Sequence, residues 1–122
     1  MMDAALDVLN DKTIPYLIRV AIFHYFFGYI HPFYDGNGRM ARFITSYLLA
    51  LHLHPAIALQ VSILIKKYRK RYYDLFSHTD ADINRGDLTP FIIGTLKFIE
   101  QATLFTHHKL KHKYQTYQKA KE

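Results

Sequence analysis

Hydrophobic positions recur along this chain every three to four residues, and polar runs and prolines cut the recurrence into segments. Near the N-terminus, Ala5, Leu6 and Leu9 mark a short helix ending around Asn10 and Asp11. Pro15 suits the first turn of a second helix, where its missing N–H does no harm. Ile18, Ala21, Ile22 and Tyr25 line one side of that helix, and its pattern breaks at Gly28 and stops by Pro32. The period resumes after Gly38 with Phe43, Ile44, Tyr47, Leu48 and Leu51, and Pro55 reads as the end of this third helix. Ser62 is the expected cap of a fourth helix carrying Ile65, Tyr68, Tyr72, Leu75 and Phe76. "SHTDADINRGDL" reads as a polar loop. Thr89 and Pro90 follow as N-cap and first turn of a fifth helix with Phe91, Leu96 and Ile99 on one face. No useful stretch alternates with the period of two that a strand needs. The expected class is all-α, a bundle of helices.

Composition narrows this outline. With 122 residues, half of them hydrophobic and 16% aromatic, the chain is a single packed domain rather than a disordered one. The expected core spans residues 1–105. Beyond it, "THHKLKHKYQTYQKAKE" loses the apolar stripe but keeps helix formers, so residues 106–122 are read as a basic helical extension. There is no cysteine, which excludes a disulfide framework and thiolate metal sites. No apolar run approaches the ~20 residues of a membrane span. The acidic start "MMDAALDVLNDK" is unlike the basic head of a signal peptide. A soluble, cytoplasmic protein with no membrane partner is expected. A net charge of +6 and a pI near 9.5 favour an anionic partner of some kind.

The chemistry is concentrated in "IHPFYDGNGRMAR", residues 30–42, which joins two apolar helices. The second of these helices is expected to begin at about Asn37 to Arg39. A helix's first turn presents N–H groups without internal partners and the positive end of the macrodipole. Gly36 and Gly38 are expected to take conformations closed to other residues, so that successive N–H groups point into one concavity. Arg39 and Arg42, three apart, share a helix face near the same end. Two guanidiniums above an amide nest suit several phosphate groups in a row. An acid, Asp35, would repel phosphate unless a divalent cation, usually Mg²⁺, stood between them. His31, with an unperturbed pKa near ~6.5, fits a general base. Base, metal ligand, nest and clamp together equip phosphoryl or nucleotidyl transfer.

These residues carry a resemblance. His31, Phe33, Asp35, Gly36, Asn37, Gly38, Arg39 and Arg42 match the Fic signature, His-x-Phe-x-(Asp/Glu)-Gly-Asn-Gly-Arg-x-x-Arg, at every specified position. "AIFHYFFGYIHPF" also resembles the family's helix into the motif, and "KKYRKRYYDLF" its later helix with paired tyrosines. The resemblance, over roughly residues 3 to 103, implies a Fic-type helical bundle with the loop and helix N-terminus at its centre. It further implies a protein adenylyltransferase that moves AMP from ATP to a Ser, Thr or Tyr hydroxyl of a target protein. In that role His31 is the base, Asp35 the Mg²⁺ ligand, and Gly36, Asn37 and Gly38 the anion hole. Arg39 and Arg42 hold the distal phosphates, and Phe33 anchors the loop. Glycine at position 38 favours AMP transfer, since related kinase-like toxins carry lysine there. Removal of AMP by the same site, or use of another nucleotide, stays open.

Two family features have no counterpart here. Regulated members carry an inhibitory helix, Ser/Thr-x-x-x-Glu-Gly/Asn, whereas this chain's glutamates, Glu100 and Glu122, lack that context. An inhibitor is therefore expected to be absent, cut away or supplied by a partner such as an antitoxin chain. The family's β-hairpin flap normally precedes the region matching "MDAALDVLN", so a minimal core is expected. Elsewhere, His24 reads as a core histidine, and His52 and His54 lack acids for a metal site. His108 and His112, four apart, are placed to catch a stray transition metal. The basic run "KKYRKR" reads as a solvated face around core tyrosines. A rival reading is a catalytically silent interaction module, or a basic module binding nucleic acid; no recognition helix or RNA-binding motif supports the latter.

Overall fold

In the computed structural model, which describes residues 2–30 and 35–122, the periodic segments form six α-helices. They are α1 (Met2–Leu9), α2 (Tyr16–Ile30), α3 (Asn37–Ala50), α4 (Pro55–Lys67), α5 (Arg69–Asp80) and α6 (Thr89–Lys121). A 3₁₀ turn, Asp82–Asn84, lies between α5 and α6, and there is no strand among the described residues.

Helix α2 is apolar on nearly all sides, and a helix of that kind belongs inside. Val20, Ala21, Phe23, His24, Tyr25 and Phe27 are all buried, a wider face than the expected stripe. Ala21 and Tyr25 of that stripe are buried, and Ile18 and Ile22 are half-buried. The main core gathers Val20, Leu49, Val61, Tyr72, Phe98 and Ile99, drawn from α2, α3, α4, α5 and α6. A smaller cluster of Ala5, Phe23, Phe27 and Ala41 holds α1 against α2 and α3. Leu6, expected in the α1 stripe, is exposed instead.

Several expected boundaries are corrected. Pro55 starts α4 rather than closing α3, because proline's fixed φ suits a first turn as well as a stop. His54 supplies the cap, its Nδ1 accepting from the Ala56 N–H at 3.1 Å. Ser62 therefore sits inside α4 and caps nothing. The expected fourth helix is in fact two, parted at Tyr68, whose φ of −108° and ψ of 48° leave the helical region. Ser77 to Asp80 continue α5, so the loop begins at Ala81. At α6 the cap position is Leu88, and the Asp87 carboxylate accepts from the Thr89 N–H at 2.9 Å and its hydroxyl at 2.7 Å.

The α3 stripe is corrected too. Ala41, Thr45 and Leu49 face inward, and Ile44 and Leu48 of the expected stripe pack half-buried against the core, while Phe43, Tyr47 and Leu51 are exposed. Small side chains on the inner face let α3 lie close against α2. Helix α6 continues to Lys121, its last buried residue is Thr106, and residues 107–122 are exposed. Among the described residues no helix is long and apolar enough to cross a membrane.

Candidate functional site

The start of α3 organises the site. Gly36 takes φ 76°, a left-handed conformation that L side chains adopt at a cost, and so turns the chain into the helix. Asp35 Oδ1 accepts from the Gly36 N–H at 2.7 Å. The helical ladder begins with the Met40 N–H donating to Gly36 O at 3.0 Å. The N–H groups of Gly38 and Arg39 thus have no acceptor within the helix, as the geometry of a first turn dictates. Gly38 differs from the expectation: its φ is not positive, so it needs no special backbone freedom. Its value is space, because a Cβ there would stand 3.3 Å from Arg42 Nη1.

Opposite this N-terminus stands α5. A crevice of about 370 Å³ is lined by Asn37, Gly38 and Arg42 on one side and by Tyr72, Tyr73, Phe76 and Asp80 on the other. Tyr29, near the end of α2, also contributes. Tyr25 donates its hydroxyl to the Asp80 carboxylate and stacks on Phe76, with centroids 5.8 Å apart at 17°. Burial, then that hydrogen bond, pushes the Tyr25 hydroxyl well above its ordinary pKa. This contact ties the end of α5 to α2, next to the crevice. One end of the cleft is therefore cationic and rich in N–H groups, and the other aromatic with one carboxylate. Such an arrangement suits a ligand with an anionic end and a flat ring.

Not every expected residue lines this crevice. Asp35 and Gly36 are exposed just before α3, and Arg39 lines a second groove between α3 and α4. Arg42 borders both concavities. His31 and Phe33 lie outside the described residues. Tyr73, Phe76 and Asp80 carry no site signal in the sequence beyond the paired tyrosines of the later helix.

His24, His52 and Arg71 are each engaged in contacts within the fold. His24 is buried and hydrogen-bonded at both nitrogens. His52 packs against Tyr16 at 3.7 Å between ring centroids. Arg71, from the basic run, lies 4.1 Å above the Phe98 ring and donates to Gln101 Oε1 at 2.6 Å. Among the described residues no three His, Asp or Glu side chains gather as a metal cage.

The model of the Fic/DOC family matches residues 1–49. The chain is 36% identical over 83 residues to Protein adenylyltransferase Fic of Aedes aegypti, an overlap of 68% of this chain and 14% of that protein. It is 34% identical over 97 residues to Protein adenylyltransferase fic-1 of Caenorhabditis elegans, covering 77% of this chain and 17% of the relative. With Protein adenylyltransferase Fic of Drosophila melanogaster the identity is 35% over 94 residues, or 77% and 16% of the two chains. The chain thus spans less than a fifth of the length of each of these relatives. No solved structure matches it. With its motif, its all-helical fold and these relatives, the chain belongs to the Fic/DOC family.

Proposed function

We propose that this chain is the nucleotide-transfer core of a protein adenylyltransferase, moving AMP from ATP to a hydroxyl of a target protein. The observation that carries the reading is the crevice, whose cationic, N–H-rich end and aromatic end face each other across a volume within the usual range for small-molecule sites. The relatives' names, protein adenylyltransferases, point the same way.

In this reading the phosphates lie against the first turn of α3, where the N–H groups of Gly38 and Arg39 and the helix dipole favour negative charge. Arg42 neutralises the distal phosphates, and Arg39, facing the adjoining groove, adds its charge at the same helix end. The adenine lies against Tyr73 and Phe76, with the Asp80 carboxylate near enough to take part in hydrogen bonding. His31 accepts the proton of the attacking hydroxyl. The hydroxyl oxygen bonds to the α-phosphorus, the bond to the pyrophosphate breaks, and pyrophosphate leaves.

Asp35 fits a Mg²⁺ ligand. Mg²⁺ usually takes one or two carboxylates and completes its octahedron with phosphate oxygens and water, so a single exposed acid beside the nest is a sufficient protein donor. When bound, the ion would neutralise charge on the phosphates. Orienting the triphosphate falls to the α3 N-terminus and the two arginines.

Incubation with Mg²⁺ and ATP labelled at the α- or the γ-phosphate tests the reading, with His31→Ala alongside. Transfer of α-label to protein, lost in the variant, is expected. Transfer of γ-label would refute AMP as the group moved. A silent or nucleic-acid-binding module would transfer neither label, and any nucleic-acid affinity would fall steeply with salt yet survive the substitution.

A further inference from the structure

The core beneath the crevice contains a polar hub where an aliphatic side chain would be simpler. His24 of α2 is 3% exposed. Its Nδ1 is 2.5 Å from Thr45 Oγ1 on α3, and its Nε2 is 2.5 Å from the Tyr72 hydroxyl on α5. The ring is held on several sides. Phe91 stacks on it at 5.9 Å and 28°, Tyr72 meets it edge-on at 5.6 Å and 83°, and Phe76 lies 6.3 Å away.

Burying three polar groups is costly unless all are satisfied. A neutral imidazole has one donor and one acceptor, and each hydroxyl partner can serve either role, so both bonds form in either tautomer. Burial, followed by the nearby charge of Arg42, pushes the imidazole down to about 4, which keeps it uncharged near neutral pH. What the hub adds over apolar packing is direction. Hydrogen bonds fix how α5 is placed along α3, whereas methyl groups would let it slide.

Both ends of the hub lie close to the site. Thr45 stands three residues beyond Arg42 on α3, while Tyr72 is itself part of the crevice wall beside Tyr73. We propose that His24 is a positioning residue: through Tyr72 it sets the α5 wall of the crevice relative to the α3 N-terminus, and so fixes the width of the nucleotide site. The inference rests on the nucleotide-binding reading and adds a residue that does not itself line the crevice.

Two substitutions separate positioning from plain stability. A glutamine at 24 places its amide near Nε2 and keeps the bond to Tyr72. An asparagine reaches only the Nδ1 position and keeps the bond to Thr45. Both lose one hydrogen bond and similar packing, so both should be destabilised alike. Mg²⁺·ATP affinity, measured by calorimetry well below the melting temperature, should stay within about twofold of wild type in His24→Gln and fall about tenfold in His24→Asn. In turnover the loss should appear in KM for ATP rather than kcat. Should either variant fail to fold, Thr45→Val and Tyr72→Phe repeat the contrast, with the loss expected in the tyrosine variant.

Equal affinities across such a pair, in a chain whose wild type binds Mg²⁺·ATP, would overturn the positioning role alone. A wild type that takes up no Mg²⁺·ATP would overturn the proposed function, and this inference with it.

Discussion

The guanidinium of Arg42 reaches back along α3 to Gly38, so that a Cβ on the glycine would come within 3.3 Å of Nη1. The contact is with the tip of a flexible side chain, not with backbone. Gly38→Ala should therefore leave stability unchanged or raise it by up to about 0.5 kcal/mol, since alanine is the better helix former. Affinity for Mg²⁺·ATP should nevertheless drop, by about tenfold if the guanidinium is pushed from one charge-assisted hydrogen bond. Chemical denaturation and calorimetry on one preparation would show the two effects diverging. A variant that lost stability and affinity in proportion would contradict this account.

Gly36 presents the opposite case. Nothing lies within 4 Å of its missing Cβ, so substitution meets no neighbour and pays only for its φ of 76°. Gly36→Ala should cost about 1–2 kcal/mol, and Gly36→Asn less, because asparagine tolerates the left-handed region. Urea titration would measure both. An alanine variant as stable as wild type would mean that this backbone conformation is not held in solution.

Acid should unfold the protein partly through His24. Its pKa is about 4 in the folded state against 6.5 for the free side chain, so the unfolded chain binds the extra proton first. Stability then rises with pH between about 4 and 6.5 and is flat above, the hub contributing on the order of 3 kcal/mol to the change. Asp11 and Asp87 are held below their usual value by hydrogen bonds from Thr13 and Thr89, so their contribution is lost only at lower pH. Urea midpoints at pH 4.5 and 7 should differ in wild type and converge in His24→Gln. Parallel pH curves for the two proteins would exclude the histidine as their source.

Asp35 is exposed and contacts its neighbour's N–H, so Asp35→Ala should change stability by less than about 1 kcal/mol. Its effect should fall on nucleotide binding in the presence of Mg²⁺, with little change when EDTA removes the ion. If Mg²⁺ strengthened ATP binding equally in variant and wild type, the acid would have no part in holding the metal.

Legibility in the sequence differs by element. The N-terminal helices, the start of α3 near Asn37 and the long last helix follow from period and punctuation. The middle of the chain departs from the expectation because proline obeys two rules, and at Pro55 it opens a helix rather than ending one. The break at Tyr68 has no glycine or proline to announce it. On α3, Ile44 and Leu48 of the expected stripe do pack on the core, but its centre lies on Ala41 and Thr45, which a count of large apolar residues passes over. As for the site, the loop from Asp35 to Arg42 is contiguous and so legible as a unit. Its opposite wall is not, because Tyr73, Phe76 and Asp80 reach the crevice by tertiary packing, more than thirty residues along the chain.

Helix α6 has one more consequence. Its fifteen residues beyond Thr106 stand clear of the bundle, and at about 1.5 Å per residue they form a spur of roughly 22 Å. That approaches twice the ~13 Å radius of gyration of a domain this size. The molecule should consequently diffuse and tumble as an elongated body. Gel filtration calibrated on spherical standards will overstate its mass, while light scattering will not.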